Sequence, residues 1–278
     1  MTQKEKIPKE RLDVLLVKKG LFESRENAKR HIMAGIILVN DFPVDKPGTR
    51  VPADARLRIK GEVMPYVGRG GYKLEKAIRT FHLPMEGTVM ADIGASTGGF
   101  TDCALQNGAK KVYAIDVGYN QLDWKLRQNP QVINMEKTNI KDVTLPLLGE
   151  QVDLIATDIS FISVLKIMPA AREILKKDGD MAILIKPQFE AGREKVERGG
   201  IVHDPAVHEE VIIKVLRGAA EAGFLTKEVT WSPIKGGSGN IEFLAHLQWI
   251  PEDFDGPLYP DEKVIHHLVE DAHTALKG

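Results

Sequence analysis

The sequence has little that would mark a secreted or membrane protein. It carries one cysteine, Cys103, so no intramolecular disulfide can form, and a reducing compartment is expected. No stretch approaches the roughly 18 consecutive apolar residues that a membrane helix needs. The first ten residues, MTQKEKIPKE, lack the apolar core of a secretory signal. Nothing repeats and nothing is of low complexity. These absences predict a soluble cytoplasmic protein and argue against a secreted or membrane-active one, which would need a signal, an amphipathic membrane helix or a barrel pattern.

What is present is an uneven charge distribution. The net charge of −1 hides a basic head: residues 1–66 hold 14 Lys/Arg against 9 Asp/Glu, while the remainder holds 24 against 30. A basic module joined to an acidic body suits a chain that grips a polyanion with one part and works on it with the other. At 278 residues there is room for one sizeable α/β domain and a smaller unit.

The head reads as two helices followed by short strands. Leu12, Leu15 and Leu16 recur at helical spacing before Gly20. Ser24 can cap a second helix with Glu26 in its first turn, Ala28 and Ile32 on one face, and Gly35 at its end. IILVN and RLRIKG then read as strands, with Asn40-Asp41 as a turn between IILVN and FPV.

A stretch rich in glycine and proline, EVMPYVGRGG, is expected to link the two parts over residues 62–71. Beyond it, apolar runs (TVMADIG, KVYAIDV, QVINME, VDLIATD, MAILIKP, LTKEVTW, IEFLAHLQW) alternate with helical patterns such as Leu74, Ala77, Ile78, Phe81. The clearest helix opens on Asp204-Pro205, cap and first-turn proline, and runs to Gly223. Strands alternating with helices predict a mostly parallel, doubly wound α/β sheet.

The segment ADIGASTGGFTD follows one strand and opens a helix, a setting in which backbone amides approach a ligand closely. Its spacing is Gly94-x-Ser96-x-Gly98-Gly99. A dinucleotide fold wants G-x-G-x-x-G, so Ser96 argues against a nicotinamide enzyme. Asp92, two before the first glycine, suits a ligand with an ammonium group. Asp116 ends the next strand, where an acid would accept from ribose hydroxyls, and Asn139 follows the third strand, where it can read an adenine edge.

Four further residues belong beside that loop: Lys73 near the start of a helix, Asp158 and Lys186 at the ends of the fourth and fifth strands, and Glu242 at the start of the last. Ligands of open α/β sheets bind outside the carboxyl ends of the strands. A lysine desolvated there between carboxylates can orient a hydroxyl and stabilise the alkoxide that develops as it attacks a methyl group. The attack needs alignment and deprotonation but no metal.

The order Lys…Asp…Lys…Glu around the glycine loop resembles the FtsJ/RrmJ-like ribose 2′-O-methyltransferases. The head, ERLDVLLVKKGLFESRENAKRHIMAGIILVND with the later LRIKG, resembles the S4 RNA-binding domain. Together, with GRGGYKL, DIGASTGGFTD, ATDISF, IKPQFE and GNIEF, the chain is similar over residues 8–270 to the TlyA family, often labelled hemolysin A.

The resemblance implies an S4-like domain at 1–61, a linker at 62–71 and a Rossmann-like class I methyltransferase domain at 72–278, its last strand antiparallel. It implies Lys73, Asp158, Lys186 and Glu242 as a catalytic tetrad. It places S-adenosylmethionine against Asp92, Gly94, Ser96, Gly98, Gly99, Phe100, Asp116 and Asn139, although related enzymes often carry Asp where Asn139 stands. Ribosomal RNA, methylated on a cytidine ribose of the large subunit and in some members also of the small one, would be met by Arg11, Lys18, Arg25, Lys29, Arg30 and Arg69. Lys18, Arg25, Lys29 and Arg30 are expected to stand free for phosphates. A long charged loop, 186–204, would add Arg193, Lys195 and Arg198. No metal, membrane or obligate protein partner is expected. A non-catalytic RNA-binding or ribosome-assembly factor stays open as the alternative.

Overall fold

A computed structural model describes residues 8–60 and 64–277. Gly61, at the expected end of the head, and Glu62 and Val63, at the start of the expected linker, lie outside the described residues. The chain divides into two units, Met1–Gly68 and Arg69–Gly278.

In the first unit, β1 (Lys9–Arg11) leads directly into α1 (Leu12–Lys18), and α2 (Arg25–Met33) follows. Ser24 caps α2 as expected, its hydroxyl accepting from the Asn27 amide at 3.2 Å. Leu12, Leu15 and Leu16 of α1 and Ala28 and Ile32 of α2 form the core with Ile37. The strands β2 (Ile37–Val39) and β3 (Phe42–Pro43) join through Asn40 and Asp41, both at positive φ (51° and 68°), the conformation a tight hairpin requires. β5 (Leu57–Ile59) pairs with the other edge of β2. The pairing of β1 with β4 (Arg50–Pro52) has no apolar alternation to announce it in the sequence.

The second unit opens with α3 (Gly70–Phe81), which begins inside the stretch read as linker. The chain continues through β6 (Val89–Ile93), α4 (Gly99–Gln106), β7 (Lys111–Ile115), α5 (Trp124–Arg127), β8 (Val132–Met135) and α6 (Leu145–Leu148). It proceeds through β9 (Val152–Thr157), α7 (Met168–Ile174), β10 (Leu175–Ile185), α8 (Pro187–Glu190) and α9 (Pro205–Glu221). The unit ends with β11 (Phe224–Trp231), β12 (Phe243–Trp249) and α10 (Glu262–Ala275).

The seven strands lie in the order β11-β12-β10-β9-β6-β7-β8. Five of them, β8 through β10, run parallel, and β12 is antiparallel to both its neighbours. Successive side chains of a strand face opposite layers. Phe243, Ala245 and Leu247 of β12 therefore join the core made with α7, α9 and α10, while His246 meets Phe81 of α3 at 5.5 Å between ring centroids. Asp204 caps α9, with Pro205 in its first turn. This order reverses direction about β6, so the loops after β6, β9 and β10 open on one end of the sheet. Among the described residues, no helix is long and apolar enough to cross a membrane.

Candidate active site

The loop from Gly94 to Gly98 leaves β6 in a left-handed conformation at three points: Gly94 (φ 87°), Ser96 (φ 47°) and Gly98 (φ 93°). Gly98 caps α4, and a Cβ there would lie 2.3 Å from Leu126 Cδ1 and 2.8 Å from Leu122 Cδ1. Gly98→Ala is therefore expected to lower stability by about 1–3 kcal/mol through backbone strain and overpacking. Thermal unfolding checks this; an unchanged melting temperature would contradict the tight packing.

Asp116 fixes the loop from the neighbouring strand end. Its Oδ2 accepts from the Ser96 amide at 2.7 Å and its Oδ1 from the Gly118 amide at 2.7 Å. Asp92 lies in β6 and is fully buried. Its Oδ2 accepts from the Thr101 amide (3.0 Å) and hydroxyl (2.6 Å). Its Oδ1 is buried without a hydrogen-bond partner. Burial pushes the Asp92 pKa up to about 7, against the Thr101 hydrogen bonds and with the help of the Asp158 charge.

The tetrad residues come together at the carboxyl ends of the strands. Lys73 Nζ in α3 donates to Glu242 Oε2 at 2.7 Å and to Asp158 Oδ2 at 3.1 Å. Lys186 Nζ, just beyond β10, lies 2.5 Å from Asp158 Oδ1 and donates to the Ser160 hydroxyl at 2.9 Å. The result is one chain, Lys186–Asp158–Lys73–Glu242, of two cations and two anions. Burial alone would lower the Lys73 pKa, but the charges of Asp158 and Glu242 and the hydrogen bonds to both raise it. Lys73 is thus held as an ammonium that fixes both carboxylates. Gly236 allows the loop before β12 to approach Glu242, since a Cβ there would fall 2.4 Å from Glu242 Oε1.

A cavity of about 530 Å³ lies over this chain. The tetrad lines it, with Asp92, Gly94, Ser96, Gly99 and Phe100 from the expected cofactor set. Asp116 reaches it only through the loop, and Asn139 is exposed, its side chain capping the short turn Ile140–Asp142 by accepting from the Lys141 amide. Neither is among the lining residues.

The cavity wall also holds residues that sequence reading passed over. Phe161 is 86% exposed, stands at φ 69° and pairs with Phe189 at 5.1 Å between centroids. An aromatic just after a strand reads as core in sequence, and only its exposure marks it otherwise. Ser160 and Gln188 of the wall are equally silent in the sequence, as is Glu190, which is buried outside the cavity lining. Glu190 Oε1 accepts from the Val164 amide at 2.7 Å and so ties the loop after β9 to α8.

The basic residues differ from expectation in one respect: those expected to stand free have partners. Lys18 pairs with Glu10 (2.7 Å), Lys29 with Glu26 (2.6 Å), Arg25 with Asp13 (2.9 Å), and Arg30 donates to the Val67 carbonyl at 2.6 Å. The exposed pairs, Lys18 with Glu10 and Lys29 with Glu26, are weak and open readily to a stronger anion. Arg11 also pairs with Asp13, at 2.9 Å. Arg69, at the start of α3, is exposed, as are Arg193 and Arg198, whereas Lys195 is bonded to Glu210. The 186–204 segment is not structureless: it contains α8, a turn at Arg193–Lys195 and a bridge between Glu197 and Ile201.

The sequence matches two families, the FtsJ-like methyltransferases over residues 66–249 and the S4 domain over residues 10–57. YqxC of Bacillus subtilis is 52% identical over 97% of this chain and 96% of its own. The 16S/23S rRNA (cytidine-2′-O)-methyltransferase TlyA of Mycobacterium tuberculosis is 40% identical over 86% of this chain and 89% of its own. The solved structure of a hemolysin-named protein from Streptococcus thermophilus, 47% identical, superposes with a TM-score of 0.76 over 98% of both chains. With a mostly parallel sheet whose last strand in the chain, β12, is antiparallel, a glycine loop and a matched S4 head, this chain belongs to the TlyA family of FtsJ-like methyltransferases.

Proposed function

We propose that this chain transfers a methyl group from S-adenosylmethionine to the 2′-hydroxyl of a cytidine ribose in ribosomal RNA, either of the large subunit alone or of both subunits. The observation that carries the reading is the buried chain Lys186–Asp158–Lys73–Glu242 on the wall of a cavity shared with the glycine loop.

The residues present fit the cofactor. Asp92 brings an unmet carboxylate oxygen suited to an ammonium, and the left-handed loop at Gly94 and Ser96 keeps backbone close to the cavity. Asp116, outside the cavity lining, keeps lone pairs beyond its two amide bonds, and these support its assignment to the ribose hydroxyls. Bound S-adenosylmethionine supplies a methyl group on a positively charged sulfur, already activated toward a nucleophile. Lys186 Nζ orients the ribose hydroxyl and stabilises the charge developing on its oxygen as the hydroxyl proton leaves to solvent. Asp158 holds Lys186 from one side, and Lys73 fixes Asp158 and Glu242 in turn. The exposed Phe161 face, paired with Phe189, offers a stacking surface for a base turned out of its helix.

An ammonium ligand favours the ionised form of Asp92, whose pKa in the free protein is about 7. Binding is therefore expected to expel a proton when measured near pH 6.5 and to weaken as pH falls below 7. Calorimetry in two buffers of different ionisation enthalpy checks this, and proton uptake on binding would contradict the role of Asp92. The function itself is tested by the product. RNA methylated by the protein is expected to yield a 2′-O-methylcytidine whose 3′-phosphodiester resists alkali. A base-methylated nucleoside in its place would overturn the proposal.

A further inference from the structure

The segment between α8 and α9 passes over the cavity without belonging to the sheet. Its tip, Glu197–Ile201, turns through Gly199 (φ 97°) and Gly200 (φ 78°), and a Cβ on either glycine would meet nothing within 4 Å. Arg198 on this tip is exposed, and Gly200 lines the cavity. Little apolar burial holds such a turn, so its position depends on its polar fastenings.

Two of those fastenings converge on one residue. Asn240 is 1% exposed. Its Oδ1 accepts from the Val202 amide at 2.9 Å, and its Nδ2 donates to the Gly200 carbonyl at 2.8 Å. The two bonds fix the amide's orientation, because an acceptor must face the N–H and a donor the C=O. The Asn240 carbonyl in turn accepts from the Gly236 amide at 2.9 Å, closing the loop that ends two residues later at Glu242. Val202 is held from its other side by His208, whose Nε2 donates to the Val202 carbonyl at 3.1 Å. With that proton committed, His208 Nδ1 accepts from His273 Nε2 at 3.0 Å.

We propose that Asn240 is a positioning residue that latches the 197–202 turn to the Glu242 loop, so that Arg198 is presented to the RNA backbone in a fixed place. The inference rests on the reading of the substrate as RNA. Without the latch the turn must be ordered at each binding event, so the loss falls on substrate affinity rather than on chemistry. Merely structural damage would lower kcat and stability together.

Asn240→Ala is expected to raise the KM for RNA about tenfold with kcat within about threefold of the parent. It should also speed hydrogen exchange at the Val202 amide while the amides of β10 and β12 stay protected. His208→Phe, which keeps a ring against Phe243 but loses the Val202 bond, should shift both readouts in the same direction by less. The cycle with Arg198→Ala decides the matter: Arg198→Ala should cost less in the Asn240→Ala background than in the parent. Additive losses, an unchanged KM, or a fall confined to kcat would overturn the proposal. If the parent protein itself transfers no methyl group to RNA, the functional reading fails, and the exchange experiment still shows whether Asn240 holds the turn.

Discussion

Lys186→Ala is expected to lower the rate of methyl transfer by about three orders of magnitude while the protein stays folded. Lys186 is buried beyond the end of β10 and touches two partners, Asp158 and Ser160. Removing one partner of a buried ion pair is usually costly because a charge is left stranded. Here Asp158 keeps its bond to Lys73, so the carboxylate is not orphaned and the loss falls on catalysis. Lys186→Arg is not expected to restore the rate, since the planar fork of a guanidinium does not fit the place of a single ammonium between Asp158 and Ser160. Single-turnover transfer of labelled methyl, measured beside thermal unfolding, separates the two effects. Transfer within tenfold of the parent would remove Lys186 from the chemistry.

The second large effect concerns the first unit. Asp13 is wholly buried and accepts from Arg11 Nε (2.9 Å) and Nη2 (3.1 Å) and from Arg25 Nη2 (2.9 Å). The two arginine side chains are nevertheless half exposed, at 46% and 52%. Asp13 thus holds two arginines in place with donors to spare for phosphate. Arg11→Ala/Arg25→Ala is expected to weaken rRNA binding by about 100-fold at physiological salt and to flatten the salt dependence by about two phosphate contacts.

The same double variant strands a buried carboxylate. The hydrogen bond from Arg11, opposed by burial and aided by Arg25, lowers the Asp13 pKa to about 2. A depressed folded-state pKa stabilises the fold above the ordinary value of 3.8, and that contribution is lost as pH falls toward 2. In the double variant the contribution should vanish at neutral pH. Adding Asp13→Asn should restore stability but not RNA binding. Recovery of both together would mean that the arginines act only on the fold.

The sequence carries the frame of this molecule and much of its site because both depend on local signals. Ser24 and Asp204 cap helices whatever lies around them, and Asn40-Asp41 must turn. Residues at strand ends converge by topology alone, which is why Asp158, Lys186 and Glu242 meet, and Lys73 reaches them from α3 although 169 positions separate it from Glu242. The replacement of a dinucleotide-type glycine by Ser96 separates a methyltransferase loop from a nicotinamide one in the same way.

What the sequence conceals is partner choice. Nothing in ERLDVLLVKKG marks Asp13 as buried under two arginines, and no pattern joins Lys18 to Glu10 or Lys195 to Glu210. Phe161 is legible as an aromatic but not as an exposed one. Asn139, read from its strand end, turns its oxygen to the Lys141 amide instead of the cavity, as Asn commonly does at the start of a helical turn. Asn240 lies in GNIEF, yet its bonds to Gly200 and Val202 span about 40 residues and exist only in three dimensions.

Ribose methylation at the Lys186–Asp158–Lys73–Glu242 chain has one direct test. The most direct measurement incubates the protein with radiolabelled S-adenosylmethionine and separated 30S and 50S subunits, with Lys186→Ala in parallel. Label in rRNA from the parent, absent with the variant, is the expected result. Cofactor binding without transfer to either subunit or to assembled ribosomes would contradict it and favour a catalytically silent RNA-binding factor.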